Sequence, residues 1–501
     1  MTRLQQWSRL DGGTFDVAIV GAGINGASLY DRLCRYGYRV LLLDKRDFAG
    51  ATSQASAMMI WGGLLYLAHR DFATVRELCA SRERMLEEMP AAVRVCTSRF
   101  VATKDPGRSR WLLLGALYLY WALGGFRRRR PRIDGAFSER EFLSARTLRN
   151  SLAYEEATVE PSDARFTIHW ILPHQESESV ALNHCAVRGG AYDSSSRSWR
   201  LEIEDAITGR QTQASARCVV NAAGVWTDQL NDRFGVSTGW KHIFGKGVFL
   251  GVVRHPAHTT HLMFETRADG DCMSLIPWGP VSLWGPTETV ARTPDAGFTV
   301  EPEDVRSLLS EMNRHLVRPV DVGDIVSLRC GVRPLAIRRS DHAHRGTFGI
   351  SRRQVVVRDP HRPWISLYGG KLTGCSATAR LVAADIRGWL LPSSRRDLSA
   401  CRPITSVPDL ELFPGLVEPV LSARHAAERE MCWTLEDYLR RRTNISQWVP
   451  RGGLGRNGEH AGRIAEIAAV FASKSGRSRD EIVAEYHATI ERGLDDVIRR
   501  V

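Results

Sequence analysis

The chain has 501 residues, 43% of them hydrophobic and 25% charged, which excludes a disordered or fibrous protein and leaves room for two or three domains. Its net charge of +12 is scattered apart from the run RRRRPR at 127–132. No zinc finger, RNA-binding aromatic signature or long basic helix accompanies that charge, so nucleic acid is not an expected partner. The 10 cysteines form no CxxC pair and fit neither a zinc knuckle nor a disulfide scaffold, so no metal site is expected. The opening MTRLQQWSRLDGGTFD holds no apolar run long enough for a signal peptide, and a cytoplasmic enzyme with reduced thiols is expected.

In chain order, Phe15–Val20 (FDVAIV) reads as a short strand running straight into GAGING. Gly21, Gly23 and Gly26 supply the G-x-G-x-x-G spacing of a tight turn, a close approach to a pyrophosphate and a packed helix–strand contact. Asn25 lies inside the same turn. A helix through Ser28–Arg35 then points its positive end at the phosphates. A second strand, Arg39–Leu43, ends at Asp44, placed to accept from ribose hydroxyls, with Lys45 beside it. Together these predict a βαβ dinucleotide fold.

Next comes QASAMMIWGGLLYLAHRDF at 54–72, apolar and aromatic around a double glycine. WLLLGALYLYWALGGF at 111–126 is too short to span a bilayer comfortably. A buried helix is its plain reading, and a helix lying in a membrane surface, held by the arginines that follow, is the alternative. CVVNAAG at 218–224, followed by Trp226, and WISLYGGKLT at 364–373, followed by a helical stretch Cys375–Ile386, are late strand–turn pieces. A dinucleotide fold assembled from segments so far apart favours FAD over NAD. Arg292–Val317 reads as a connection and then a helix, with Pro302, Glu303 and Asp304 in its first turn. Pro392–Pro408 marks a boundary, after which the pattern is helical. Thr434 with Asp437 reads as a helix start, and Ser478 with Glu481 as a capping box before a final amphipathic helix. These helices are expected to pack on the FAD fold or on a second subunit of a homodimer.

These segments resemble the FAD-dependent glycerol-3-phosphate dehydrogenase family. The match runs through GAGING (21–26), ATSQAS (51–56), GGLLYL (62–67), DAR (163–165), NAAG (221–224), GVRPL (331–335) and GGKLT (369–373), and resumes at 435–448 and 459–469. The resemblance implies an α/β fold: a FAD-binding βαβ domain, Rossmann-like and of glutathione-reductase type, with an inserted mixed-sheet substrate domain and a small helical C-terminal domain. The FAD-binding segments fall at about 14–90, 155–230 and 340–390, the substrate segments at about 91–154 and 231–339, and the helical domain at 401–501. It also implies oxidation of a secondary alcohol by hydride transfer to flavin N5. Electrons then pass to a quinone at the membrane, through a peripheral contact, or to oxygen.

Carried over by motif, Gly21, Gly23, Asn25, Gly26, Asp44, Lys45, Thr52, Ser53, Gly62, Gly63 and Leu64 would hold the cofactor. Ala223, Gly224, Trp226, Gly370, Lys371, Leu372 and Thr373 would complete that set. Tyr66, Arg333 and Lys371 would act in catalysis, with Arg352 facing the substrate. Arginine and lysine suit an anionic group and favour an alkoxide and a reduced flavin anion.

The chain departs from the family's usual SSKLIHGGLRYLE. Met58 stands at the lysine position, Trp61 at the histidine, Leu65 at the arginine and Ala68 at the final acid, and Phe249 replaces a histidine in GKGVFL. The arginine helps grip substrate phosphate in the family, and losing a donor to a charged group costs a few kcal/mol. Trp61, Leu65 and Phe249 are therefore expected to line a pocket for a substrate that is anionic but is not ordinary glycerol 3-phosphate. An ordinary glycerol-3-phosphate dehydrogenase and a catalytically faded flavoprotein are the alternatives. No base is evident. His174, His342 and His344 are expected to be surface or loop histidines.

Overall fold

The computed structural model describes residues 2–103, 109–145, 148–175, 177–265, 272–341, 353–393 and 408–501. Arg352, His342 and His344 lie outside these residues, as does most of the Pro392–Pro408 connector.

The apolar run FDVAIV forms the strand Thr14–Val20 at the centre of a mixed sheet. It pairs in parallel with Val40–Leu43 on one side and Gln211–Asn221 on the other. Trp364–Tyr368 and Val180–Leu182 extend the parallel set outward. Fully buried strands such as Val40–Leu43 read as continuous apolar runs, as parallel sheets covered on both faces require. The helix after GAGING starts at Ile24, earlier than Ser28, because Gly23 is its N-cap. It packs against the helix Cys375–Trp389 that follows GGKLT, so the two glycine-rich turns lie at one end of the sheet.

A second, ten-stranded sheet carries the segments between these pieces. Its long strands Trp240–Val253 and Ile325–Arg338 pair antiparallel over thirteen register partners, Trp240 with Arg338 through Val252 with Ile325. Met59–Ile60, inside the apolar stretch, is an edge of this sheet, paired with Leu148–Val159. Sequence and structure agree on the helix Pro302–Asn313, with Glu303 and Asp304 in its first turn.

The C-terminal helices Ala423–Arg429, Ala461–Ser475 and Arg479–Ile490 bury their own core around Phe413, Tyr438, Phe471 and Tyr486. The Ser478–Glu481 capping box is present in both directions. The helix it opens buries only Ile482 and Tyr486 and is followed by a π-helical turn and Asp496–Arg499, so it is neither strongly amphipathic nor final. Thr434 and Asp437 cap each other reciprocally, as expected.

The apolar segment 111–126 is neither wholly buried nor a span. It forms the helix Arg110–Leu123, which buries Leu113, Leu117 and Tyr120 and leaves Trp111 62% and Leu112 65% exposed. Among the described residues no helix is long and apolar enough to cross a membrane. Arg127, Arg128, Arg129 and Arg132 of the basic run pair with Glu87, Glu83, Glu155 and Asp134, which spends much of that charge within the fold.

Buried histidines give the fold a pH dependence. Burial pushes His242 down to about 3 and His169, His258 and His261 down to about 4. The unfolded chain therefore takes up protons below the usual 6.5 that the folded chain refuses, and stability falls with pH over the window from about 6.5 to about 4. Asp44, raised to about 6 by burial, opposes this over part of the window, as do Glu156 and Asp228, which burial also raises. Each of these histidines is expected to remove up to roughly 1.4 kcal/mol of stability per pH unit across that window, seen as a lower melting temperature at about pH 5 than at about pH 7. An unchanged melting temperature would mean that these rings accept protons in the native state.

Candidate active site

The glycine-rich turn shows why its residue types are required. Gly21 sits at φ +107°, and a Cβ there would lie 2.4 Å from the Ala222 carbonyl oxygen. A Cβ on Gly26 would lie 1.9 Å from the Gly21 carbonyl oxygen. Ser53 Oγ accepts from the Ile24 amide at 2.9 Å and sits 3.0 Å from where a Gly23 Cβ would be, so ATSQAS folds over the start of the helix. Thr52 Oγ1 donates to the Val332 carbonyl at 2.7 Å, which ties that motif to GVRPL. Asp44 is half-buried at the end of its strand and accepts from the Ala22 amide at 2.7 Å and the Arg46 amide at 2.9 Å. Asn25 donates to Gln354 at 3.3 Å, and its own Oδ1 is buried with no hydrogen-bond partner among the described residues. Lys45 Nζ lies 3.7 Å from the Trp226 ring centroid, and Trp226 stacks on Phe298 at 5.9 Å. The close-approach turn fits a pyrophosphate, and the unpartnered acceptor oxygen of Asn25 and the acid at the strand end fit the hydroxyls of a dinucleotide.

The double glycine of the apolar stretch is explained by its neighbours. A Cβ on Gly62 would lie 2.1 Å from the Tyr120 hydroxyl, and Gly63 is left-handed at φ +88°. Leu64 and Leu65 pack into a small core with the helices Phe72–Glu88 and Arg110–Leu123. The Gly62 amide donates to Glu156 at 3.2 Å, and that carboxylate also takes Tyr120 at 2.6 Å and Arg82 at 2.7 Å. Burial raises Glu156, with Arg82 opposing.

Trp61 stands on the GGKLT turn: its amide donates to Thr373 Oγ1 at 2.9 Å, and that hydroxyl donates back to the Trp61 carbonyl at 3.2 Å. Leu372 opens the short 3-10 turn that carries Thr373. Lys371 Nζ lies 3.8 Å from the Tyr66 ring centroid, and Tyr66 lies 5.9 Å from Trp61. Asp71 feels both Arg353 and Lys371, although its low pKa owes most to its bonds with Thr74. Gly369 at φ +69° and Gly370 at φ +114° make this turn, and a Gly369 Cβ would sit 3.6 Å from the Pro334 carbonyl oxygen, which places GVRPL alongside. Arg333 pairs with Glu288, and Gly247 leaves the room its guanidinium needs, since a Cβ there would be 2.7 Å from Arg333 Nη2.

The structure thus gathers Trp61, Tyr66, Leu372, Thr373 and Lys371, and seats Arg333 on the adjoining strand. Phe249 is separate, 3% exposed and packed in the main core near Gly285. His174 is a correction. It is buried, bonded to Asp31 at 2.8 Å and edge-on to Tyr30, not a surface histidine. Sequence reasoning missed Glu288, Glu156 and His242. His242 Nε2 accepts from the Gly369 amide at 3.1 Å and stays neutral through burial, so it holds the turn. Only its closeness in sequence to GKGVFL could have drawn notice.

The family model of FAD-dependent oxidoreductases matches residues 16–384. The chain belongs to that family. Among curated relatives, the glycerol-3-phosphate dehydrogenase of Pseudomonas aeruginosa is 30% identical over 72% of this chain and 69% of its own length. Glycerol-3-phosphate dehydrogenase 2 of Mycobacterium tuberculosis is 26% identical over 98% and 90%. D-erythritol 1-phosphate dehydrogenase of Brucella abortus is 26% identical over 72% and 71%. The solved glycerol-3-phosphate dehydrogenase of Bacillus halodurans, in complex with FAD, superposes with a TM-score of 0.73 at 19% identity, covering 99% of this chain and 97% of that one. This FAD-dependent oxidoreductase therefore has the two-sheet flavoenzyme fold that the motifs implied, and FAD is its cofactor.

Proposed function

We propose that this oxidoreductase takes a hydride from the alcohol or amine carbon of a small metabolite that carries an anionic group but is not ordinary glycerol 3-phosphate. The observation that carries this reading is the wall formed by Trp61, Tyr66 and Lys371. At the positions where the family sets a histidine and an arginine, this chain has Trp61 and Leu65, and the Lys371 ammonium rests on an aromatic face.

FAD, held by the glycine turn and the GGKLT turn, supplies the hydride acceptor at N5 when bound. Lys371 offers a point charge to the substrate's anionic group or to the oxygen that develops negative charge. Its ammonium is fixed by the Tyr66 ring, which limits the freedom lost on binding. Arg333 is oriented by Glu288 and supplies a second cation on the neighbouring strand. Trp61 shapes the apolar side and excludes water from the reacting carbon. His242 is no base, because its Nε2 is committed to the Gly369 amide. The reoxidant is a quinone or oxygen. The exposed apolar face of Arg110–Leu123 supports a peripheral bilayer contact and hence a quinone.

The test is anaerobic bleaching of the flavin by a panel of glycerol 3-phosphate, glycerol, amino acids and larger alcohols and amines. Glycerol 3-phosphate is expected to leave the wild-type flavin oxidised, while an alcohol or amine bearing a carboxylate bleaches it. Leu65→Arg is expected to improve the response to glycerol 3-phosphate by about tenfold or more, by returning a charged donor. Bleaching of the wild type by micromolar glycerol 3-phosphate would overturn the reading and restore the ordinary family activity.

A further inference from the structure

Away from the flavin turns lies a cavity of about 890 Å³, bounded by Lys45–Gln54, the strand Ile325–Arg338 and the C-terminal helices. That volume is within the usual range of small-molecule sites. Of the residues proposed to hold cofactor or substrate, only Lys45 lines it.

Seven basic and four acidic side chains line the cavity. The acids are already committed. Asp47, Glu436 and Asp437 accept from Arg441 at 2.6, 2.8 and 2.7 Å, and Glu485 pairs with Arg477 at 2.8 Å. Asp47, His184 and Asp437 lie within 4.8 Å of one another, but these arginines neutralise the carboxylates that a cation would need.

Four lining arginines lie outside these pairs; Arg46 sits 3.8 Å from Asp295 and Arg492 is exposed, which singles out Arg329 and Arg440. Arg329, 1% exposed, donates from Nε and Nη2 to the Ser56 carbonyl and from Nη2 to Asp163, while its Nη1 has no hydrogen-bond partner among the described residues. Arg440 donates from Nη2 to the Gln54 carbonyl at 2.6 Å, and its buried Nη1 is likewise unpartnered there. Burial first, and then the charge of Arg329, push Arg440 down to about 9. Asp163 and Glu436 are the acids nearby; Asp163 is shared with Arg329 and the amides of Ser56 and Ala164, and Glu436 with Arg441. Buried N–H groups without acceptors and adjacent like charges are both costly, and an anion between them removes both costs.

We infer that Arg329 and Arg440 form a binding site for a tetrahedral oxyanion, either free phosphate or the phosphoryl end of an organic monoester. Planar guanidinium forks suit such an ion better than ammonium groups do. The site bears on the cofactor, because the two arginines grip the carbonyls of Gln54 and Ser56, directly after the Thr52–Ser53 pair that covers the glycine turn. An occupied site holds that segment in place and slows FAD release.

The experiment follows the melting temperature and FAD off-rate of the holoenzyme in inorganic phosphate against sodium chloride at equal ionic strength. Wild type is expected to show a saturable rise of about 3 °C or more in phosphate and an off-rate lower by about threefold or more. Lys371→Met should keep the response, since it alters the flavin-facing turn and not this cavity. Arg440→Gln should lose it, and Arg440→Lys should need at least about tenfold more phosphate. Adenosine monophosphate acting at lower concentration than phosphate identifies an organic monoester as the ligand, and equal or weaker action identifies the free ion. No saturable response in wild type, an undiminished response in Arg440→Gln, or loss of the response in Lys371→Met overturns the site. Should Arg440→Gln fail to fold, Arg440→Lys decides, and an unchanged phosphate requirement in that variant overturns it too.

Discussion

Gly26→Ala is expected to yield folded protein without flavin. The added Cβ would arrive 1.9 Å from the Gly21 carbonyl oxygen, a backbone atom that cannot swing aside as a side chain could. Gly21 cannot retreat either, because it is held at φ +107° against the Ala222 carbonyl. The helix Ile24–Arg35 must then lift from its strand, which withdraws its first turn from the phosphates. Overpacking of this depth costs a few kcal/mol, so FAD affinity should fall by about a hundredfold or more. The measurement is the flavin-to-protein absorbance ratio of the purified variant, with circular dichroism to show that the helices and sheets are intact. Full flavin content would mean that the turn does not carry the pyrophosphate.

The second large effect is expected at Lys371. Replacing it with methionine keeps the side chain's length and its contact with the Tyr66 ring while removing the charge. If Lys371 stabilises the developing negative charge, the rate of anaerobic flavin reduction by the true substrate should fall by about 10²–10³. The flavin content of the variant is measured alongside, because Lys371 lies in the GGKLT turn, while the glycine turn, Ser53 and Asp44 are untouched. Stopped-flow absorbance reads the rate directly. A change confined to the substrate concentration dependence would assign Lys371 to binding alone.

The parts of the fold that were legible in the sequence are those specified by neighbours in the chain. GAGING, the cap at Ser478, Pro302 in a first turn and the strand–turn of WISLYGGKLT each follow from residues a few positions apart. What stayed hidden depends on pairs far apart in sequence. Arg82 meets Glu156 across 74 positions, and Trp61 meets Thr373 across 312. Neither pair has a spacing rule that could announce it. The spacing of His174 carries no sign that Asp31 and Tyr30, on the nucleotide helix, enclose it. Motif position groups Phe249 with the pocket, but the strand Trp240–Val253 turns it into the main core.

Tyr120 joins the outside of its helix to the double glycine. Its helix bares Trp111 and Leu112 to the outside, while the phenol points inward to the carboxylate that holds the Gly62 amide. Phenol, carboxylate and amide form a short strut under the double glycine, with Arg82 bracing it from the side. A load placed on the outer face of this helix travels along that strut to the backbone beside Trp61, so the exposed apolar surface of the helix and the Trp61–Tyr66 wall are mechanically one piece.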